Sequence, residues 1–480
     1  MNAKFYLEQG NTLYNASRYA EAVLAYRQAI ACDPSYTDAH RNLGVALEEL
    51  GQYEAAAASY GNALALHPNY AEVHYSLGNI FHKLQRYEDA RAAYAKAIAL
   101  KANYAQAHYN YGVTLEALRR PIEALAAYNA AIALNPAYVE AYNNRGTLFQ
   151  TLGEYVRAME DYNHSIAIDP HFALAQFNKG LLKLLLGEFK EGWQLHEWRW
   201  LRPGHKKARD FVQPLWLGKE SLTGKTILLH VEQGLGDTIQ LCRYVPMVEA
   251  LGAKVILEVP APLVELMSTL KSHPSIVAKD SALPHFDLHC PLMSLPLALG
   301  TLKDTIPADI PYLAASPEKR VAWQKKLGPK TRPRIGLTWS GTALHKNDRN
   351  RSIALNLLEP LWQLDADYHS LQKEIKPEDE AALAKSPIAT YEQQLQDFSD
   401  TAALITEMDM VVSVDTSVAH LAGALGKNVW IMLPFSPDFR WLLHRRDTPW
   451  YPTAKLFRQT KSGDWTSVIA RVKKDLGEVF

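Results

Sequence analysis

Three short stretches carry the residue types that group transfer needs. In HVEQGLGDTIQLCRYVP, Gly234 and Gly236 open a turn after an apolar run, and Asp237 stands at the start of the next helical segment. A carboxylate there faces the cleft beyond the strand or simply caps the helix, and a single Gly-x-Gly such as Gly234–Gly236 is a weak nucleotide signal. In SGTALHKNDRNRSI, a flexible polar turn (Ser340, Gly341, Thr342) is followed by three cations within six positions, Lys346, Arg349 and Arg351. Guanidinium groups match phosphate oxygens in a two-pronged geometry, so this loop is expected to clamp a diphosphate. In VVSVDTSVAHLAGALG, an apolar run ends at Asp415, and Thr416 and Ser417 form the first turn of a helix with His420 just inside. Free N–H groups and the positive dipole end make such a turn an anion site, although Asp415 or Thr416 as a plain cap and His420 as a structural imidazole would satisfy the same pattern. Gln372, near the end of another β-rich run, is expected to lie beside the nucleotide base.

Elements that alternate must position these loops. After residue 220, TILLHVE, KVILEV, RIGLTWSG, YHSLQ, MVVSVD and NVWIMLP are short β-rich runs separated by segments with helical spacing, which predicts parallel sheets. The Pro-rich stretch TIPADIPYLAASPEKR splits this half, so two Rossmann-like lobes are expected, at 205–318 on the acceptor side and 319–480 on the donor side. Ligands in such sheets bind beyond the carboxyl ends of the strands, where all three stretches fall.

The first two hundred residues read differently. Gly10, Gly44, Gly78, Gly112, Gly146 and Gly180 recur every 34 residues, and Ala22, Ala56, Ala90, Ala124 and Ala158 keep the same register. So do Tyr26, Tyr60, Tyr94, Tyr128 and Tyr162, while Pro34, Pro68, Pro136 and Pro170 punctuate the array. Small residues let two helices approach, an aromatic fills the gap between them, and proline stops the second helix. The pattern resembles the tetratricopeptide repeat, six units over about residues 3–204, which implies an all-α superhelix (1–204) with a peptide-binding groove. Two residues before the repeat glycine, Asn42, Asn110, Asn144 and Asn178 form a ladder of amides similar to that of the O-GlcNAc transferase superhelix. The ladder can pair with the backbone of an extended peptide, or it can only satisfy neighbouring backbone groups of the array itself.

Taken together, the Gly-Asp turn, the basic loop and the Asp415–His420 pattern resemble glycosyltransferase family 9, the bacterial heptosyltransferase-like enzymes of GT-B architecture. The resemblance covers about residues 222–480 and departs from the family pattern at Ser417 and Ala419. It implies that Asp237 is the catalytic base and Lys346 a phosphate-binding lysine, with no metal and no cofactor beyond a nucleotide-diphosphate sugar as co-substrate. Asp365-x-Asp367 spells the string of metal-dependent transferases, but it sits in WQLDADYHS, where an exposed turn explains it.

Composition narrows the rest. Lys+Arg and Asp+Glu are both 51, a balance that gives no field for nucleic acid or anionic membrane. Three scattered cysteines, no signal pattern and no long apolar run predict a cytoplasmic protein without a transmembrane segment. The expected activity is sugar transfer to a polypeptide captured by the repeats. The rivals are a heptosyltransferase-like enzyme acting on a glycan or lipid-linked saccharide, and a peptide-binding scaffold without turnover.

Overall fold

The computed structural model describes residues 2–204, 209–342 and 347–480. Contacts divide the chain into two compact units, Met1–Ala175 and Gln176–Phe480. In the first, the helices from Ala3–Asn15 and Tyr19–Cys32 through Val139–Thr151 and Tyr155–Ile168 form five hairpins. The repeat glycines exist for the tyrosines. A methyl group built on Gly44 or Gly78 would lie 2.6 Å from Cε1 of Tyr60 or Tyr94, so only glycine admits the ring. Each of these tyrosines is at most 2% exposed, and Ala22, Ala56, Ala90, Ala124 and Ala158 are fully buried beside them. The turns inside these five hairpins place Ser17, Gly51, Gln85, Arg119 and Gly153 in the left-handed region, again 34 residues apart, and Gly187 in the next hairpin continues the series. Three of the six are glycine; the others carry a side chain at a cost of roughly 1–2 kcal/mol each. Pro121 takes a first-turn position filled by tyrosine in its neighbours, where a missing N–H costs nothing.

Most of the sixth hairpin, Ala173–Leu185 with Phe189–His196, falls in the second unit, whose start at Gln176 lies within that hairpin's first helix. The reason is aromatic packing. Phe189 lies 6.5 Å from Trp450, and Trp193 meets Phe439 edge-on at 5.7 Å, tying the hairpin to the α/β fold.

Two parallel sheets fill the rest of that unit. The first comprises β1 (Thr226–His230), β2 (Lys254–Val259), β3 (Ser275–Ala278) and β4 (Leu288–Pro291), in the order β3-β2-β1-β4. The second comprises β5 (Arg334–Thr338), β6 (Asp367–Ser370), β7 (Ile388–Ala389), β8 (Met410–Val414), β9 (Val429–Leu433) and β10 (Ala454–Arg458), in the order β10-β9-β8-β5-β6-β7. Strand direction fixes where loops can gather. The order reverses beside β1 in the first sheet and between β5 and β8 in the second, and a crevice opens beyond the carboxyl ends at such points. The final helix, Trp465–Val479, buries Trp465, Val468, Ile469, Val472 and Leu476 in the core of the second sheet and stays with it. No described helix is long and apolar enough to cross a membrane.

Candidate functional site

The loops after β1, β5 and β8 leave their sheets at these reversals. Gly234 starts the helix Leu235–Leu241, and Asp237 caps it, its Oδ2 accepting from Gly234 N at 2.8 Å. That helix packs on the helix Ser417–Ala424 that follows β8. A methyl group on Gly236 would lie 3.0 Å from Cδ2 of His420 and 3.4 Å from Cα of Ser417, which is why the position is glycine. Around this contact lies a cavity of about 300 Å³, whose wall includes Ser340, Gly341, Arg351, Thr416 and Ser417.

The expected anion clamp is gathered in part. Thr416 begins the 417–424 helix with extended backbone and no side-chain cap, leaving its first amides to the cavity. Arg351 lines the cavity, donating to the carbonyl of Asp415 at 2.8 Å and pairing with Asp348 at 3.3 Å. Arg349, two residues away on the same short helix, is exposed and does not line the cavity, because the helical turn separates the two side chains. Lys346 lies outside the described residues. Gln372 is occupied within the fold. Its Oε1 accepts from Trp339 N at 2.7 Å and Ser340 N at 2.9 Å, and its Nε2 donates to Ser340 Oγ and Glu374 O. Both ends of that amide are spent, so Gln372 shapes the turn after β5 and has no bonds left for a base.

Buried charge gives the site its electrostatics. Burial pushes the Asp415 carboxyl up to about 6, Asp438 adding to the rise while Trp441, Arg440 and Arg351 oppose it. Burial also holds His420 well below the usual imidazole range, helped by Arg440, Arg243 and Arg351. It is a neutral ring, with Nδ1 2.9 Å from the Tyr451 hydroxyl and its face stacked on Trp441. Asp237 is not a free base here: its Oδ1 accepts from Nη2 of Arg440, which also donates to Gln240 Oε1 at 2.6 Å and Asp438 Oδ1 at 2.8 Å. Burial disfavours the Arg440 cation, but Asp438, Asp237 and Asp415 outweigh that and raise its pKa.

Arg440 is the residue that the sequence reading missed. Its only signal was a cation among the aromatics of PFSPDFRWLLHRRDTPWYP. The same segment supplies Trp450, whose carbonyl accepts from the buried Arg243 at 2.6 Å. Arg199, fully buried, is held by Glu197, Glu232 at 3.0 Å and Ser294 at 2.7 Å. Burial raises Glu232 to about 7 despite Arg199. Among the described residues, no group of three or more His, Cys, Asp or Glu is placed to hold a metal ion. Asp365 and Asp367 pair instead with Arg332, and the Asp365 side chain is 87% exposed.

The asparagine ladder faces its neighbours. Asn42 donates to Asn11 Oδ1 at 2.9 Å, Asn110 to Asn79 Oδ1 at 2.9 Å and Tyr75 at 3.1 Å, and Asn144 to the Tyr109 hydroxyl at 2.9 Å. These donors link successive repeats through side-chain oxygens rather than through the backbone groups expected of a purely local role. Asn178 has partners of its own. Between Glu48, His82, Lys83 and Asn110 lies a separate cavity of about 260 Å³.

Residues 10–51, 49–85, 78–118 and 123–153 match the profile described as TPR repeat, and 139–172 match that of the tetratricopeptide repeat. The N-terminal helices are tetratricopeptide repeats. Protein FlbA of Caulobacter vibrioides is 27% identical over 311 residues, covering 59% of this chain and 51% of that protein. The chain therefore spans about half the length of this curated relative, and a match of that extent reaches beyond the tetratricopeptide repeats. Among solved structures, MamA is 24% identical, covering 34% of this chain and 94% of its own at a TM-score of 0.33. YrrB, titled a TPR protein with an unusual peptide-binding site, is 24% identical over 37% of this chain and 91% of its own, TM-score 0.34. PilF of Pseudomonas aeruginosa is 21% identical over 42% and 92%, TM-score 0.38.

Proposed function

We propose that this protein is a glycosyltransferase of GT-B type that moves a sugar from a nucleotide-diphosphate sugar to a polypeptide held by the tetratricopeptide repeats. The observation that carries the reading is the meeting of two loops from separate sheets at their reversal points, an uncapped helix start with Arg351 on one side and Leu235, beside the Gly236 contact, on the other. In this reading the amides of residues 416–417, Arg351 and Lys346 take the charge of the departing diphosphate, and no metal is required. Asp237 accepts the proton of the acceptor hydroxyl, which requires Arg440 to release it when substrate arrives. Peptide binding by the array rests on the behaviour of tetratricopeptide repeats as a class.

A second reading, peptide binding without turnover, draws on the neutralised state of Asp237 beside Arg440. Thermal shift of the full chain against a panel of nucleotide diphosphates and nucleotide sugars separates the two. A shift abolished by Arg351→Ala, followed by sugar transfer to a peptide detected by mass spectrometry, is the expected result. No shift with any nucleotide, in a protein that melts cooperatively, removes the transferase reading.

A further inference from the structure

Away from this crevice, a second cavity lies where β10, the segment 444–446 and the final helix Trp465–Val479 come together. Its volume is about 490 Å³ and its walls are basic: Arg445, Arg446, Arg458, Arg471 and Lys474 face a single carboxylate, Asp475. In a chain whose formal charges cancel, this is a concentration of one sign that folding alone does not ask for.

The arrangement is built by the backbone. Leu442 and His444 both sit in the left-handed region, φ 53° and 54°, which non-glycine residues adopt at a cost and which clusters at ligand sites. That double turn lays residues 445–446 along β10, where Leu456 N donates to Arg446 O at 2.7 Å and Arg458 Nε to Arg445 O at 2.9 Å. Arg471 reaches across from the final helix; its Nε donates to Ser467 O at 3.1 Å and its Nη2 to Arg458 O at 2.5 Å. Carbonyls thus orient that guanidinium without neutralising it. Asp475 is shared between Arg446 at 2.9 Å and Lys455 at 2.7 Å, so it answers only part of the positive charge. Arg445 pairs with Asp447, whose side chain is 72% exposed, and Lys474 stands 3.9 Å from Glu478, both well exposed, so neither pair is strongly held.

We propose that this groove is a binding site for a compact polyphosphate, the phosphate chain of a nucleoside triphosphate or a free inorganic one. Several guanidinium groups in one concave site recognise an anion with many equivalent oxygens in a two-pronged way, and the volume admits two or three linked phosphates. The site shares no lining residue with the crevice that holds Arg351 and Thr416, so its ligand would act on the protein from a second position.

Inorganic triphosphate is the probe, titrated calorimetrically into the full chain at low and moderate salt, with ATP and adenosine in parallel. To silence the crevice, the titration is done in the Arg351→Ala background. The expected result is one equivalent of triphosphate bound, an affinity falling steeply with salt, and a loss of at least tenfold in Arg471→Gln/Lys474→Gln, whose exposed side chains leave the fold intact by circular dichroism. ATP binding with equal strength would mark the phosphate chain as the recognised part, and tighter binding than triphosphate would mark a nucleotide as the source. Adenosine binding as well as ATP, an affinity unchanged in the double variant, or no binding at low salt would overturn the proposal. None of these outcomes depends on whether the crevice transfers sugar.

Discussion

Replacing Arg440 by methionine tests how the crevice is held. Arg440 is 8% exposed and bonds Asp237, Asp438 and Gln240 together, with Asp415 close behind. Methionine keeps much of the side-chain volume but removes the cation from among three carboxylates. Breaking a buried ion pair by removing one partner costs roughly 3–5 kcal/mol, and the low end, about 3 kcal/mol, applies here because Asp237 and Asp438 keep 20% and 36% exposure. For a unit of this size that is a fall in melting temperature of about 6 °C. The sign of the pH dependence follows from the carboxylates. Without Arg440 the buried Asp415 carboxyl, already pushed up to about 6, loses one of the cations that oppose its rise and moves higher. The folded state then binds protons more tightly than the unfolded one, so the deficit is full above that region and shrinks as pH falls below it. Differential scanning fluorimetry of wild type and Arg440→Met at pH 5 and pH 8 should show the larger gap at pH 8. Adding Asp237→Asn should recover part of the loss at pH 8. A gap equal at both pH values, with the double variant no better than the single, would refute the electrostatic account and leave only lost packing.

Other consequences are read more simply. Gly78→Ala, which would push a methyl to 2.6 Å from the Tyr94 ring, should destabilise the repeats by about 1–3 kcal/mol in urea unfolding, and pairing it with Tyr94→Leu should recover some of that. Gln372→Ala, leaving Trp339 N and Ser340 N without their acceptor, should cost roughly 1–3 kcal/mol and loosen the turn after β5, seen as faster amide exchange at 339–341. If sugar transfer is found, Asp237→Asn should lower turnover by about two or more orders of magnitude with donor affinity nearly intact. Arg351→Ala should weaken donor and nucleotide diphosphate alike, whereas Arg349→Ala, on the exposed face, should leave both unchanged in the same fluorescence titration.

The repeat array was legible because one constraint, a ring seated over a glycine, repeats with the fold. Strands built on a continuous apolar run, such as TILLH and VWIML, were equally plain. Those passed over are short or interrupted: β4 is LHCP, β7 only two residues, and β10, AKLFR, alternates in a way that a helix turn also satisfies. At the crevice the loops were placed correctly by their position after strands, because strand direction decides that. Individual roles were harder. Gln372 looked available since three of its four bonds go to Trp339 and Ser340, about thirty residues away in the chain, and Arg349 looked equivalent to Arg351 until a helical turn separated them. Arg440 was invisible because its partners Asp237 and Gln240 are about two hundred residues away.

The place where the chain divides has a consequence for how such proteins can vary. The sixth hairpin is anchored by Phe189 and Trp193 to the α/β fold, while the five hairpins before residue 175 repeat one way of packing a ring over a glycine. Gain or loss of whole 34-residue units, which share one register of Gly, Ala and Tyr, can lengthen or shorten the array while that anchoring stays as it is. The length of the array can therefore change in evolution by counting, while the α/β unit stays as it was.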